Sequence, residues 1–384
     1  MKILQVNKFY SPDIGGIETV CKQHSEYLNN YHEVTVLCCN KKRSKSTETS
    51  FINGVKVIRT SSWGTFWSMP ISFSFIVNFF LLYRASDLIF IHYPFPLAKI
   101  AFIFSKLITF NKNKKVIVLW HSDIVKQKKV YTLLKPLTRV LLRNSDLVLT
   151  TSPNMIEHSP MLKLFEFKCS VLPLSVNVSN VLDLVNNIKS NNSKLSDYYD
   201  LIFFGRLCYY KGIDVFLDAL IVLARKGFFP KVLIAGQGEL SELVKNKIES
   251  NNLNNIHFIN EFLSENEKYC AIHRSKVFVF PSVAVSEAFG ITQLEAMALR
   301  KPVINTKLLT GVPWVSLHDI SGRTVKPNDS HALALEVYSL LNNNDKIIEL
   351  GSRGYTRVCE NFDDIIVFNK LDNYIESLTK SSST

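Results

Sequence analysis

Apolar and polar positions alternate in blocks along the first half of the chain. Short runs rich in Val, Ile, Leu and Phe are separated by longer stretches with helical periodicity, as in parallel sheets covered by helices on both faces. The apolar runs are KILQVNKFY, EVTVLCC, VKVIRT, DLIFIHY, KVIVLWH, DLVLTTS and CSVLPL. This pattern predicts an α/β domain with a doubly wound parallel sheet over residues 1–178.

The block pattern lapses and then restarts. The stretch 179–199 is rich in Asn and Ser and predicts a linker with one short helical piece. Beyond it, strand-like runs again alternate with helical stretches: LIFFG, KVLIAG, IHFIN, VFVFPS, PVINT and GRTVKP. We therefore predict a second doubly wound domain over 200–361 and a C-terminal helix, 362–384, that returns to the first domain. Ligands lie at the carboxyl ends of such strands, so two domains facing across a cleft can hold two substrates.

The net charge of the 384 residues is +12, and the excess is confined to the front half. Residues 1–175 contain 23 Lys and Arg against 10 Asp and Glu, whereas 176–384 contain 22 against 23. Compositional drift explains this asymmetry, or else the front half is attracted to an anionic surface or substrate. No nucleic-acid-binding module is evident, so we expect an anionic membrane surface rather than a nucleic acid.

The cysteines and the N-terminus favour a cytoplasmic protein. Seven cysteines without a C-x-x-C pair argue against a disulfide framework and a zinc site. The start MKILQVNKFYSPD lacks a long apolar run before a cleavage site, so we expect no signal peptide. The aromatic-rich stretches 69–84 and 96–110 are too short to span a bilayer. They predict core-facing helices, with interfacial membrane anchors as the alternative.

Two cations follow the first strand of the second domain. In FFGRLCYYKGID, residues 203–214, Arg206 and Lys211 are five residues apart in a strand-to-helix loop. Both can face one anionic group beside a helix N-terminus, which suits a diphosphate. The alternative is two surface cations flanking a turn. A second loop, LIAGQGEL, has a Gly-x-Gly but lacks the third glycine of the dinucleotide fingerprint.

Two carboxylates eight residues apart flank a glycine loop in SEAFGITQLEAMA, residues 286–298. Gly290 allows the backbone to approach a ligand, and Ile291 and Thr292 place free N–H groups where phosphate oxygens bind. Glu295, one turn further on, can accept hydrogen bonds from a vicinal diol such as a ribose. Glu287 precedes the loop and can hold a transferred group. The alternative is a capped core helix with two solvated acids.

These motifs together resemble a known enzyme family. EAFGITQLE matches the E-x7-E motif of retaining glycosyltransferases of family 4, which have two Rossmann-like domains facing across a cleft (the GT-B fold). GRLCYYKG, YSPDIGGIE and GVPWV with GRTVKP resemble further motifs of that family, in the same order. HYPFPLA, WHSDIVKQK, LLKPLTRVLL and TTSPNM resemble a bacterial subgroup that builds O-antigens and related surface polysaccharides, often from GDP-mannose.

The resemblance implies roles for residues of the second domain, which would bind the nucleotide sugar. Arg206 and Lys211 would neutralise the donor diphosphate, Glu295 would bind the ribose hydroxyls, and Glu287 would contact the transferred sugar. The sugar and phosphates would be lined by the backbone of Phe289, Gly290, Ile291 and Thr292.

The first domain would bind the acceptor. Gly15 and Gly16 would let the N-terminal loop approach the diphosphate, and His121 would lie near the outer hydroxyls of the sugar. Asp123 is a weaker candidate for acceptor contact. The expected catalytic residues are Glu287, His121, Arg206 and Lys211.

The implied reaction moves a hexose, with retention, from a nucleotide sugar to a lipid-diphosphate-linked saccharide in lipopolysaccharide or related polysaccharide biosynthesis. GDP-mannose is the favoured donor and a UDP-sugar the alternative. The chain contains no D-x-D, so we expect no metal and no cofactor. After CSVLPL the chain has SVNVS where the family usually has a glycine and an acid. Rival interpretations are a sugar-nucleotide epimerase and a non-catalytic nucleotide-sugar-binding protein.

The basic front half would bring the enzyme to the inner face of the cytoplasmic membrane. Anionic lipid would attract a group of cations in the predicted helical stretch after His121, at roughly 1 kcal/mol each near the surface. They are Lys126, Lys128, Lys129, Lys135, Arg139 and Arg143.

Overall fold

The structure, a computed structural model, consists of two compact units. It describes residues 1–13, 15–66, 69–109, 114–124, 128–187 and 197–380, without the side chains of 128–131 and 133. Unit 1 is the chain up to Leu172 together with the chain from Phe368 onward, and unit 2 is Pro173–Val367.

Unit 1 is built on an eight-stranded sheet. The strands of unit 1 are β1 (Lys2–Val6), β2 (Glu33–Cys39), β3 (Glu48–Ile52), β4 (Val55–Thr60), β5 (Thr65–Phe66), β6 (Met69–Pro70), β7 (Leu88–Tyr93), β8 (Lys115–Trp120), β9 (Leu147–Thr150) and β10 (Cys169–Val171). Strands β5 and β6 form a separate two-stranded ribbon, and the other eight form the sheet. The order is β10-β9-β8-β7-β1-β2-β4-β3. The pairs are parallel apart from the β3–β4 hairpin. All six residues of β7 are buried, which explains an apolar run that is interrupted only at His92.

Helices connect the strands of unit 1. They are α1 (Gly16–Leu28), α2 (Phe73–Ala85), α3 (Pro96–Ile108), α4 (Lys128–Arg143) and α5 (Pro153–His158). No helix in the described ranges has both the length and the apolar content needed to cross a bilayer.

Unit 2 has a six-stranded parallel sheet. Its elements are α6 (Val178–Asn186), β11 (Tyr199–Phe204), α7 (Ile213–Arg225), β12 (Val232–Ala235), α8 (Ser241–Ser250), β13 (Ile256–Ile259), α9 (Glu265–His273), β14 (Ser275–Val279), α10 (Ile291–Ala298), β15 (Val303–Thr306), α11 (Val312–Val315), β16 (Gly322–Val325), α12 (Ser330–Leu341) and α13 (Asn344–Asn361). The strand order is β13-β12-β11-β14-β15-β16. The predicted α/β class with two Rossmann-like parallel sheets is confirmed.

The segment read as a linker contributes a helix to unit 2. The side chain of Asn177 caps α6 by accepting a hydrogen bond from the amide of Asn180. Val178 and Val181 are buried in the unit 2 core. Residues 188–196 lie outside the described ranges.

The last element in the described residues is α14 (Asp364–Lys380), whose apolar face packs on unit 1. Phe368 stacks on the ring of Tyr27 with 4.3 Å between centroids. The hydroxyl of Tyr374 donates a hydrogen bond to the carbonyl of Val171 at the end of β10.

Helices α2 and α3 face the core on one side only. Phe75, Phe79 and Tyr83 bury one face of α2, and Ala98, Ala101 and Phe102 bury one face of α3. The opposite faces are apolar but exposed, at Phe73, Val77 and Leu81 and at Ile100, Phe104 and Leu107. Core packing therefore explains half of each apolar stretch and leaves the other half without a structural explanation.

The loops after β11 and β12 pass close to each other at two glycines. Gly236 has a φ of +148°, and a Cβ there would overlap the carbonyl oxygen of Gly205. The approach allows the amide of Gly205 to donate to the carbonyl of Ala235. The Gly-x-Gly of this loop therefore serves a close backbone crossing.

We expect Gly236→Ala to lower the free energy of unfolding by about 3 kcal/mol, because it combines an unfavourable φ with overpacking. Gly227→Ala is the matched control, since Gly227 also has a positive φ, +76°, but nothing lies near its Cβ position. It should cost only about 1 kcal/mol for the backbone conformation. Urea denaturation of both variants measures the difference, and equal losses would contradict the close crossing.

Candidate active site

The carboxyl edge of the unit 2 sheet brings two predicted motifs together. β11 and β14 are neighbours, so the loops that follow them are adjacent. Lys211, in the loop after β11, lies 2.5 Å from the Oε2 atom of Glu287, in the loop after β14. Their side chains are only 14% and 11% exposed, so this ion pair is largely shielded from water. Such shielding strengthens the attraction between the charges.

Two glycines allow these loops to pack. Gly212 has a φ of +67° between the short turn Tyr209–Lys211 and α7. A Cβ at Gly212 would overlap the carbonyl oxygen of Pro281 in the other loop. Gly290 has a φ of +83°, and its Cβ would lie 2.5 Å from the ring of Phe280. The ammonium of Lys211 lies over that same ring, 4.9 Å from its centroid.

Arg206 adds a second positive charge at this edge. Its side chain is exposed, and it forms no ion pair within the described residues. Burial raises the pKa of Tyr210; Glu287 raises it further, whereas Arg206 lowers it. Arg206 lies in the same loop between β11 and α7 as Lys211, which pairs with Glu287.

The N-terminus of α10 lies in the loop that follows β14, at the same sheet edge. Gly290 is the N-cap residue, and within the described chain no side chain caps the helix. The N–H groups of Ile291 and Thr292 are thus oriented as in helix N-termini that bind phosphate. The Oγ1 atom of Thr292 is buried without a hydrogen-bond partner there. Phe289 is buried and packs edge-to-face on Trp314.

Glu295 is held by a residue that the sequence analysis missed. Its Oε1 atom accepts hydrogen bonds from the ammonium of Lys268 at 2.6 Å and from the hydroxyl of Tyr269 at 3.4 Å. Its Oε2 atom is buried and has no partner in the described part of the chain. An unpaired buried carboxylate oxygen is expensive, so a donor from a ligand is expected there. Lys268 lies on α9, and nothing in its local sequence indicates this pairing.

Of the predicted residues of unit 1, Gly15 and Gly16 lie at the N-terminus of α1. Gly15 has an extended backbone at the start of α1. A side chain at Gly16 would meet no protein atom within 4 Å. The fold of unit 1 therefore imposes no steric need for Gly16, and the preceding Ile14 lies outside the described residues.

His121 follows β8 and belongs to a buried polar chain that the sequence did not reveal. Its Nε2 atom lies 2.9 Å from Nδ1 of His92, and Nε2 of His92 lies 3.0 Å from Oε1 of Gln5. Burial lowers the pKa of His121 to about 3 and that of nearby His24 to about 4. Burial, with His121 and His24 as neighbours, also lowers the pKa of His92 well below its ordinary value. All three imidazoles are neutral near pH 7.

Asp123 is tied to its own unit. Its Oδ1 atom accepts hydrogen bonds from the indole of Trp120 at 3.1 Å and from the hydroxyl of Ser159 at 2.9 Å. Burial raises its pKa, and the two hydrogen bonds oppose that rise. These contacts give Asp123 a structural task, and only Oδ2 remains for an acceptor.

Two parallel-sheet units, with paired charges and a helix N-terminus at a sheet edge, are found in nucleotide-sugar-dependent transferases, and sequence comparison agrees. Residues 14–179 match the family described as Glycosyltransferase Family 4, and residues 185–357 match Glycosyl transferases group 1. The two matches together cover most of the chain. The protein is therefore a glycosyltransferase, with a Family 4 domain followed by a group 1 domain.

Curated relatives are similar over the whole chain. O-antigen chain mannosyltransferase C of Escherichia coli is 29% identical, with 100% of both chains covered. D-rhamnosyltransferase WbpZ of Pseudomonas aeruginosa is 26% identical over 93% of this chain and 91% of its own.

Solved structures support the fold. Sucrose-phosphate synthase from Thermosynechococcus elongatus superposes with a TM-score of 0.74 at 17% identity, covering 99% of both chains. Anabaena HepE in complex with UDP gives a TM-score of 0.73 at 17% identity, covering 98% of this chain and 100% of its own. The fold is therefore GT-B.

We expect the protein to lose stability as the pH falls from 7 to 5. His24, His92 and His121 have folded-state pKa values below the ordinary value, so the unfolded chain binds protons in this range and the folded chain does not. Linkage then removes about 2 kcal/mol per histidine, or about 6 for the three, between pH 7 and 5. Denaturant titrations across this range measure the slope.

The control for this pH dependence is His24→Phe, which replaces one titrating ring by a non-titrating one. It should reduce the slope by about a third. A slope that is unchanged in the variant, or absent in the parent, would show that these rings do not stay neutral on folding.

Proposed function

We propose that this glycosyltransferase moves a hexose, with retention of configuration, from a nucleotide sugar to a lipid-linked saccharide in bacterial O-antigen or related surface polysaccharide biosynthesis. The supporting observation is the carboxyl edge of unit 2. The loops at this edge carry a shielded Lys–Glu pair, an arginine that forms no ion pair among the described residues, and an uncapped helix N-terminus. This combination suits a diphosphate that carries a sugar.

The donor proposed first is GDP-mannose. The full-length relative from E. coli is named a mannosyltransferase of the O-antigen chain, which favours this sugar and this pathway. A UDP-sugar is the second candidate, because the structurally similar HepE was solved with UDP. The partly satisfied carboxylate of Glu295 accepts a hydrogen bond from the ribose in either case, since both nucleotides carry the same diol.

The proposed mechanism is front-face substitution. Lys211 has three N–H donors, and its ion pair with Glu287 leaves Oε2 of Glu287 without a hydrogen bond in the described residues, so these donors remain for the diphosphate. Arg206, Lys211 and the N–H groups at α10 stabilise the negative charge that develops on the leaving diphosphate. The diphosphate then takes the proton of the acceptor hydroxyl as the new glycosidic bond forms. Glu287, held by Lys211, stabilises the transferred sugar as its anomeric carbon becomes electron-poor.

We assign charge neutralisation to these side chains rather than to a metal ion, so transfer should persist in a chelator. An epimerase or a non-catalytic binding protein is less well supported, because the relatives' names describe transferases. Product analysis separates these possibilities, since an epimerase isomerises its nucleotide sugar without any acceptor.

We propose an anionic membrane surface as a partner of unit 1. The α2–α3 apolar surface is the exposed face formed by Trp63, Phe73, Val77, Leu81, Ile100, Phe104 and Leu107. Ring contacts connect its parts: Trp63 packs on Phe73, and Phe80 packs on Phe104. An exposed apolar surface of this extent indicates a binding face.

Charge favours lipid as the occupant of this surface. Helices α2 and α3 contain no acidic residue, and Arg84 and Lys106 lie near their C-terminal ends. Helix α4 packs against α3, where Lys99 donates to Thr138, and it carries exposed Arg139 and Arg143 and half-exposed Lys135. Lys126, and the side chains of Lys128 and Lys129, lie outside what the structure describes. Aromatic and aliphatic side chains beside cations are the composition of interfacial binding faces.

Lys211→Ala and Glu287→Ala should each reduce turnover by about 10²–10³-fold, because each removes preorganised charge from the transition state. Radiolabelled transfer assays measure this, with the donor first chosen from a nucleotide-sugar panel by thermal shift. Lys247→Ala is the matched control, since it breaks a comparable 2.6 Å ion pair with Asp218 on the surface of unit 2. Near-normal transfer by either active-site variant would refute the assignment.

The double variant Leu81→Ser/Phe104→Ser should weaken co-sedimentation with anionic vesicles by about tenfold or more, since each apolar side chain contributes about 1 kcal/mol. The native emission of Trp63 should shift to the blue on vesicle binding. Phe229→Ser/Leu335→Ser, which removes equally exposed apolar side chains of unit 2, is the control. Binding that ignores lipid charge, or a concentration-dependent dimer that the first variant abolishes, would count against lipid.

A further inference from the structure

The buried chain Gln5–His92–His121 crosses three neighbouring strands near the carboxyl edge of the unit 1 sheet. Gln5 is on β1, His92 is on β7 and His121 follows β8. Gln5 is 0%, His92 1% and His121 7% exposed. The rings of His92 and His121 are nearly coplanar, at 10°. Buried polar groups carry a penalty unless they are paired, so two consecutive hydrogen bonds indicate a specific arrangement.

The direction of these hydrogen bonds follows from Gln5. Its Oε1 atom can only accept, so Nε2 of His92 carries the proton. A neutral imidazole has one N–H, and Nδ1 of His92 is therefore an acceptor. Nε2 of His121 must then donate to it, which leaves Nδ1 of His121 with a free lone pair. Within the described residues, no hydrogen bond occupies that Nδ1 atom.

We propose that His92, oriented by Gln5, is a positioning residue that presents the unprotonated Nδ1 of His121 to a hydroxyl group of a saccharide bound at the carboxyl edge of the unit 1 sheet, where ligands of such sheets lie. This inference rests on the proposed function, because the sugar is the ligand of that function. His92 does not touch the substrate; it sets which nitrogen of His121 accepts. A site that accepts from a hydroxyl discriminates against a sugar that lacks it.

His24 shows what a histidine that only packs looks like in the same cluster. It is 4% exposed, its ring lies 6.5 Å from that of His92 and 6.1 Å from that of Phe368, and its Nδ1 atom has no hydrogen bond in the described chain. It makes ring contacts without joining the chain. His24 is therefore the natural control for burial without positioning.

The first test locates the proton on His121 by nitrogen NMR of protein labelled with ¹⁵N-histidine, at pH 7. In the parent, we expect Nε2 of His121 to carry the proton and Nδ1 to be bare. Gln5→Leu and His92→Phe should shift His121 toward a mixture of tautomers, whereas His24→Phe should leave it unchanged. A proton on Nδ1 in the parent would mean that the Gln5 amide is rotated and the chain runs in reverse, which overturns the proposal.

The second test compares transfer kinetics. His92→Phe and Gln5→Leu should each lower kcat/KM by about tenfold, the worth of one neutral hydrogen bond to the substrate. His92→Asn should restore most of the loss, because its Oδ1 atom can occupy the position of the imidazole Nδ1 and accept from His121. His24→Phe should keep the parental value. Equal losses in the His92→Phe and His24→Phe variants would show that the cluster only packs, and would overturn the inference.

The two readouts separate this inference from the proposed function. If the parent transfers no sugar, the proposed function fails, while the NMR result still decides whether Gln5 and His92 hold the proton of His121. If transfer is normal but the His121 tautomer is the same in all variants, the function stands and the positioning role is refuted. Circular dichroism and denaturant midpoints identify any variant that is misfolded, in which case Gln5→Leu and His92→Asn provide the comparison.

Discussion

The ion pair between Lys211 and Glu287 is the contact on which the candidate active site depends. It joins the loops after β11 and β14, which lie side by side only because the strand order places these two strands next to each other. Gly212 and Gly290 adopt positive φ angles, so the two loops approach without side-chain overlap. The pair then holds a positive charge beside the start of α7 and near the start of α10, where helix dipoles favour an anion. The proposed diphosphate site therefore depends on the strand order.

The two units use opposite electrostatic solutions at their sheet edges. Unit 2 holds charged groups in pairs, Lys211 with Glu287 and Lys268 with Glu295, each largely shielded from water. Unit 1 holds neutral histidines at its carboxyl edge, where burial keeps them uncharged. A diphosphate needs countercharge, whereas sugar hydroxyls need directed donors and acceptors. The chemistry at each edge matches one of these requirements.

The sequence predicted what depends on local pattern. Apolar runs such as Leu88–Tyr93, interrupted only at His92, correspond to buried parallel strands, and the glycine loop before α10 was visible from Gly290 and the flanking acids. Contacts between distant segments were not predictable. Lys268 meets Glu295 because α9 packs beside α10, and His92 meets His121 because β7 and β8 are paired. In both cases the partners are separated by more than twenty residues.

The exposed faces of α2 and α3 show a different limit of sequence reasoning. A helix that is apolar all round gives no periodicity that marks its buried side, so composition cannot tell a core helix from one with a second apolar contact. The structure separates the faces: Phe79 is fully buried while Val77 and Leu81 on the same helix are exposed. The structure also locates part of the excess positive charge of the front half. The buried chain Gln5–His92–His121 at the sheet edge is neutral, so this charge lies elsewhere on unit 1. Exposed Arg139 and Arg143 on α4, beside α3, lie where such charge can act on a surface outside the protein.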